Sequence, residues 1–252
     1  GNRVMLKPSE LTPHSSALMA SLVQGAFSAD EFSVVLGGAD VAHELRTPIS
    51  NLMTQTQVAL SRPRTSAEYL DILASNLEEY ERIARMVSDM LFLAKADENT
   101  LAHAGEVIDL AREADALIDF YEALADERQV RIVRQGQASV QGDRLMLRRA
   151  LSNLISNALR HTPAGGEITI TIEADAAGVR LAVCNVGDPI PADQIERIFD
   201  RFHRGGSERT RHGEGAGLGL AITRSIVRAH GGEISARSAD GVTRFAIALP
   251  RH

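Results

Sequence analysis

The sequence predicts an α+β protein, and two observations carry that prediction. Residues about 39–100 hold two long stretches whose apolar residues recur at helical spacing. Residues about 105–252 alternate helical and strand patterns and are interrupted by glycine-rich loops. The first region, residues 1 to about 38, reads strand, helix, strand: Arg3–Leu6, roughly His14–Phe27, then Phe32–Leu36.

The 252 residues suffice for one to three compact units. With 44% hydrophobic and 24% charged residues, the composition is that of a soluble globular chain. A net charge of −6 gives no general reason for nucleic-acid or anionic-membrane binding. Cys184 is the single cysteine, which excludes an internal disulfide and is compatible with a reducing compartment. No run reaches the ~18 apolar residues of a membrane span, and no leader pattern is visible. A start at Gly1 rather than Met is compatible with a fragment that has lost an upstream anchor.

The first long helix carries Val41, Leu45, Ile49, Leu52 and Thr56 along one stripe. At ~100° per residue, His43 lies ~170° from the middle of that stripe and faces solvent. Thr47 is one turn on and shares its face. Pro48 should kink or loosen the helix just beyond, and the double glycine Gly37-Gly38 should stop helical continuity upstream. The segment Ser61–Ser66 breaks the pattern at Pro63. The second helix opens with the capping-box spacing Thr65-x-x-Glu68. A heptad follows: Leu70, Leu77, Ala84 and Leu91 at one position, Leu73, Tyr80, Val87 and Ala94 at the other. A two-helix hairpin is too thin to bury both stripes. Pairing with a second copy into a four-helix bundle covers them; packing on the third region is the alternative.

An exposed histidine beside Glu44 is compatible with an inert surface residue. Its chemistry also suits a nucleophile: imidazole attacks well near neutral pH, and an adjacent carboxylate can hold the tautomer or take the proton. In the third region a helix from about Asp143 has the apolar stripe Leu147, Ala150, Leu151, Leu154 and Ala158. Asn153 and Asn157, four residues apart, lie together on its flank. They either cap the edge of a core helix or offer amide oxygens to a hard, phosphate-bridging cation. Gly213, Gly215, Gly217 and Gly219 allow close backbone approach to phosphates, and the helix of about Leu218–His230 points its N-terminus there. Arg201, Arg204, Arg209 and Arg211 form a basic run just before it, either a solvated loop or phosphate contacts.

The string "HELRTP" at His43–Pro48 resembles the phosphoacceptor motif of sensor histidine kinases. Four further strings resemble that family's ATP-binding boxes, in order. "LSNLISNALRHTP" resembles the N box, "CNVGDPIP" at Cys184–Pro191 the G1 box, "IFDRFHR" at Ile198–Arg204 the F box, and "GEGAGLGLAI" at Gly213–Ile222 the G2 box. "GVTRFAIALP" is similar to the closing strand of the same domain. The resemblance covers about 39–252. It implies a dimerisation and phosphotransfer domain over 39–100 and, over 105–252, a GHKL-type ATP-binding α/β sandwich of mixed strands with helices on one face.

On this resemblance His43 takes a phosphoryl group from ATP and passes it to an aspartate of a response regulator. Glu44 is the general base, and Thr47 positions water for the reverse, regulator-phosphatase reaction. Asn157 holds Mg²⁺; Asn153 touches phosphate or supports the residues that do. Arg160, His161, Asn185, Gly187, Gly215, Gly217, Leu218, Gly219 and one or two lid arginines, with Arg204 and Arg211 as candidates, contact nucleotide. The G1 box departs from the usual Asp-x-Gly-x-Gly, with Asn185 at the acidic position and Pro189 at the second glycine. An asparagine oxygen still accepts from the adenine amino group, without charge. This box and "VSDMLFLAKADE" resemble copper- and silver-responsive members of the family. The resemblance also implies a cytoplasmic location, in a family usually anchored in the inner membrane.

The opening "GNRVMLKPSELTPHSSALMASL" resembles the cofactor-binding segment of aldehyde dehydrogenases, with Lys7 and Glu10 at positions that contact an NAD(P) ribose. That family's nucleophilic cysteine and general-base glutamate have no counterpart, so the segment is expected to be non-functional. A non-catalytic ATP-binding or dimerisation remnant of a fusion is the alternative for the whole chain.

Overall fold

The computed structural model describes residues 39–97, 105–203 and 217–250. The strand, helix and strand expected before residue 39, the Gly37-Gly38 break and the dehydrogenase-like Lys7 and Glu10 lie outside the described residues. The chain divides into two compact units that meet at Ala94 and Lys95.

The first unit is helical. Helix α1 spans Ala39–Leu60 and α2 spans Ser66–Asp97. Pro48 lies inside α1, and the helix runs through it. A proline has no N–H to offer the carbonyl four residues back, so the expected loosening amounts to one missing bond. Leu52 and Ala59 are buried, whereas Thr56, assigned to the apolar stripe, is exposed. The stripe therefore passes from Leu52 to Ala59, seven residues on, and a polar threonine drops out. Where α1 ends, Ser61 Oγ and the Arg64 guanidinium donate to the Val58 carbonyl at 2.9 and 3.0 Å.

The capping box at the start of α2 forms as its spacing predicts. Thr65 N donates to Glu68 Oε2 at 2.8 Å, and Glu68 N donates to Thr65 Oγ1 at 3.3 Å. The Thr65 bonds hold the Glu68 carboxyl below its usual pKa, backbone first and hydroxyl second. Leu70, Leu73 and Leu77 of the heptad stay 66%, 61% and 58% exposed in the single chain, while Met86, Met90 and Leu93 further along α2 are buried. One hairpin leaves Leu70, Leu73 and Leu77 open, as expected of two helices alone, but the buried residues of α2 are not those of the expected heptad: Ala84 is exposed, and Val87, Leu91 and Ala94 are half-buried.

The second unit holds β1 (Glu106–Asp109), α3 (Leu110–Glu127), β2 (Arg131–Gly136), β3 (Ser139–Gly142), α4 (Arg144–His161), β4 (Glu167–Ala174) and β5 (Gly178–Val186). A 3-10 turn at Arg197–Phe199, helix α5 (Gly219–Ala229), β6 (Glu233–Ala239) and β7 (Val242–Pro250) complete it. Five strands form one mixed sheet in the order β2-β4-β5-β7-β6. The β2–β4 pair is parallel and the other three are antiparallel. Strands β1 and β3 form a separate antiparallel ribbon.

Alternation shows that one sheet face is covered. Ile168, Ile170 and Ile172 of β4 are buried, as are Thr243, Phe245, Ile247 and Leu249 of β7. Against that face α4 sets Leu147, Ala150, Leu151, Leu154 and Ala158, all buried as their spacing predicts, with Ile155 and Leu159 beside them. Asp143 caps α4 by accepting from Met146 N at 3.0 Å, and Asp109 caps α3 by accepting from Ala111 N and Arg112 N. A hydrogen bond between the Tyr121 and Ser152 hydroxyls (2.9 Å) and an ion pair from Arg144 to buried Glu113 (2.8 Å) tie α3 to α4. Among the described residues no helix is long and apolar enough to cross a membrane.

Leu154 is fully buried at the centre of α4. Leu154→Ala should destabilise this unit by about 2–5 kcal/mol, seen as a lower urea midpoint by circular dichroism. An unchanged midpoint would mean that α4 does not form the core face.

Candidate functional site

The sheet is covered on one face only, so the ends and flanks of α4 and α5, with the loop after β5, gather the polar residues. Asn153 and Asn157 differ sharply. Asn153 Nδ2 donates to the Gly219 carbonyl at 3.0 Å and reaches Thr223 Oγ1 at 3.5 Å. Thr223, fully buried, donates to the same carbonyl at 2.9 Å. Asn153 thus holds the first residue of α5. Asn157 lies one turn further along α4, half-buried, with no hydrogen-bond partner among the described residues. Its amide oxygen is available to a cation or a ligand.

The C-terminal end of α4 meets the loop after β5. Gly187 donates its N–H to the Gly241 carbonyl at 2.9 Å, and a Cβ there would run into the backbone carbonyl of His161. Only a residue without a side chain fits between the two. Ile190 N donates to Ser238 Oγ, itself 2.9 Å from Thr243 Oγ1, which fixes the loop beyond Pro189. Asn185 is 2% exposed. Its Nδ2 donates to the Val186 carbonyl at 3.1 Å, leaving Oδ1 as an acceptor. This is the group the altered G1 box requires for an amino donor. Much of His161 reaches solvent, yet neighbouring atoms desolvate its ring and, with the Arg160 charge, push its pKa below the ordinary histidine value; Asp188 opposes them. Arg160 is exposed on the same last turn.

The glycine-rich turn begins the last helix. Gly217 has φ +68°, a left-handed conformation that disfavours any side chain, and a Cβ there would approach the His203 carbonyl at 2.9 Å. Its carbonyl accepts from Phe202 N at 3.0 Å, so Phe202 and Gly217 lie side by side. Leu218, expected inside the helix, is its buried N-cap instead, and α5 proper starts at Gly219. Phe199 of the F-box string is buried edge-on to Phe245 at 6.3 Å between ring centroids, with the Arg224 guanidinium 6.0 Å from its own. Arg204, Arg209, Arg211, Gly213 and Gly215 lie outside the described residues.

In the helical unit the backbone of His43, Glu44 and Thr47 belongs to α1, and Thr47 is exposed. The side chains of His43 and Glu44 lie outside the described residues. Sequence reasoning missed Thr223 and the Ser238–Thr243 pair. The signal for Thr223 was available: a hydroxyl on the apolar stripe of a short helix, four residues from a glycine.

Comparison with known proteins agrees with this arrangement. Residues 39–99 match the family model "His Kinase A (phospho-acceptor) domain". Residues 142–252 match "Histidine kinase-, DNA gyrase B-, and HSP90-like ATPase". Sensor histidine kinase CusS of Escherichia coli O157:H7 is 52% identical over 213 residues, 84% of this chain and 44% of the relative. Histidine kinase AdeS of Acinetobacter baumannii shares the fold, with a TM-score of 0.71 at 23% identity over 83% of this chain and 98% of that one. A solved complex of histidine kinase ThkA with response regulator protein TrrA has a TM-score of 0.63 at 23% identity, covering 100% of this chain and 68% of that one. The chain joins the phospho-acceptor domain and the ATPase-type domain of histidine kinases in one polypeptide. It spans less than half the length of CusS.

Gly187→Ala should strain the junction of α4 with the loop after β5 and destabilise the second unit by about 1–3 kcal/mol. Differential scanning fluorimetry of the full chain reads this as a lower Tm; an unchanged Tm would show that the His161 carbonyl yields freely.

Proposed function

We propose that this chain is a dimeric histidine kinase core which phosphorylates His43 from ATP and hands the phosphoryl group to an aspartate of a response regulator. One observation carries the reading: a histidine on a phospho-acceptor helix shares its chain with an ATPase-type fold in which Asn153 holds the helix that follows a left-handed glycine turn and Asn157 has no partner among the described residues. The open leucines of α2 support a second copy as the partner of this hairpin. The ThkA–TrrA complex supports a response regulator as the second partner.

Asn185 Oδ1, on a residue only 2% exposed, accepts from the adenine amino group. The turn at Gly217, Leu218 and Gly219, with Arg160, His161 and the segment of Arg204, Arg211 and Gly215, holds the phosphates. Asn157 supplies one oxygen to Mg²⁺. Among the described residues no cluster of His, Cys, Asp or Glu forms a metal cage. A single amide oxygen fits magnesium, which takes its remaining ligands from phosphates and water. The ion, when bound, offsets charge on the phosphates. A ring nitrogen of His43 forms a bond to the γ-phosphorus, the bond to the β–γ bridging oxygen breaks, and ADP leaves. Glu44 holds the ring and takes the proton from its other nitrogen. The phosphohistidine then gives its phosphoryl group to a regulator carboxylate, and the ring is regenerated. Thr47, exposed one turn from His43, positions water for regulator dephosphorylation. The "VSDMLFLAKADE" string and the Asn185 variant of the G1 box support a role in metal-ion signalling. The first 38 residues take no part in this chemistry.

His43→Gln should abolish acid-labile, base-stable labelling from γ-labelled ATP and leave ATP binding unchanged. Label on the variant would move the acceptor elsewhere. Nucleotide binding without label on the unsubstituted chain would favour a non-catalytic remnant.

A further inference from the structure

His230 closes α5 and is 5% exposed. Its ring Nδ1 lies 2.8 Å from the Ile226 carbonyl, and its Nε2 lies 3.0 Å from the backbone N of Asp143. A carbonyl only accepts, so Nδ1 carries the hydrogen. A backbone N–H only donates, so Nε2 does not. The neutral Nδ1–H tautomer alone satisfies both bonds. The ring is also confined: a Cβ on Gly142 would lie 2.6 Å from its Cδ2.

The acceptor position matters because Asp143 caps α4, the helix of Asn153 and Asn157. The imidazole therefore ties the C-terminal end of α5 to the N-terminal end of α4. At the opposite end of α5, Asn153 holds Gly219. Two polar pins, one at each end of α5, fix the register between the helix that bears the asparagines and the helix that begins at the glycine turn.

We propose that His230 is a positioning residue for the nucleotide site, competent only as the neutral imidazole; this rests on the nucleotide reading above. Protonation adds a hydrogen at Nε2, which then faces the Asp143 N–H, donor against donor, and the pin is lost. Among the described residues, the charged groups on the segments that meet there are Glu106, exposed across the ribbon from Gly142, and Asp143, Arg144, Arg228 and Glu233. The Asp143 carboxylate is engaged by Met146 N and Arg144 by Glu113, while Arg228 and Glu233 are exposed. The β3 end, Gln141-Gly142, carries no charge. An unfolded histidine takes its proton near pH ~6.5. The pin's contribution to stability is therefore full above that range and declines below it, while the bond itself persists until the folded ring takes the proton.

The test uses the full chain and three proteins: wild type, His230→Gln and His230→Ala. Glutamine keeps an acceptor for Asp143 and does not ionise. Affinity for a non-hydrolysable ATP analogue with Mg²⁺ is measured by calorimetry at about pH 8 and about pH 6, with the nucleotide-free Tm at both. At the higher pH, His230→Gln should bind like wild type and His230→Ala about tenfold more weakly. Between the two pH values the Tm of wild type should fall further than that of His230→Gln. His161 also titrates near the site but is common to all three proteins, so the difference belongs to His230. Parallel Tm profiles for wild type and His230→Gln would overturn the proposal, as would His230→Ala binding like wild type. Wild type that binds no nucleotide at either pH would overturn the nucleotide reading instead, and the Tm profiles would still judge the pin. If His230→Ala fails to fold, the glutamine comparison decides.

Discussion

The Gly219 carbonyl accepts two side-chain donors, Asn153 Nδ2 and Thr223 Oγ1, and the geometry of the site depends on that junction. It is a polar contact within an apolar helix–helix seam, where an unpaired group would cost about 1–3 kcal/mol. Neither α4 nor α5 can slide along the other without breaking it. Because α5 begins at Gly219, the same junction fixes where the left-handed Gly217 turn stands relative to the flank of α4. The asparagine pair thus differs: Asn153 faces the protein, and Asn157, one turn on, has no hydrogen-bond partner among the described residues, which is why it is the proposed ligand-facing member.

Close backbone approach makes the remaining walls. Gly187 sits where a side chain would strike the His161 carbonyl, so the loop after β5 is set directly on the end of α4. Gly217 does the same against Phe202 and His203. The one-faced sheet behind them is a rigid base, with Phe245 in its buried layer and Phe199 edge-on to that ring. Stability therefore resides in the sheet and α4, and chemistry in the loops that lean on them.

Much of this was legible in the sequence. The α4 stripe from Leu147 to Ala158, the Asp143 start and the Thr65–Glu68 box are local patterns with local causes, and each forms at the residues its spacing indicates. The Pro63 break falls between α1 and α2. What eluded the sequence depends on long-range partners. The i, i+4 spacing placed Asn153 and Asn157 on one flank but could not show that only the first meets a carbonyl 66 residues away. Thr56 looked like a stripe member because threonine tolerates either environment, and burial passes to Ala59 instead. Leu218 followed the apolar run yet serves as the cap, since the left-handed turn at Gly217 delays the helix. His230 gave no signal at all: its role appears only when residues 87 positions apart are brought together.

The division of labour between the two asparagines is tested most directly by side-chain amide NMR of the full chain. The Asn153 and Asn157 NH₂ resonances are followed as a non-hydrolysable ATP analogue is added, without and then with Mg²⁺. The Asn157 amide should shift only when the ion is present, and the Asn153 amide should remain in place throughout, protected by its bond to Gly219. A metal-dependent shift at Asn153 with none at Asn157 would contradict the account.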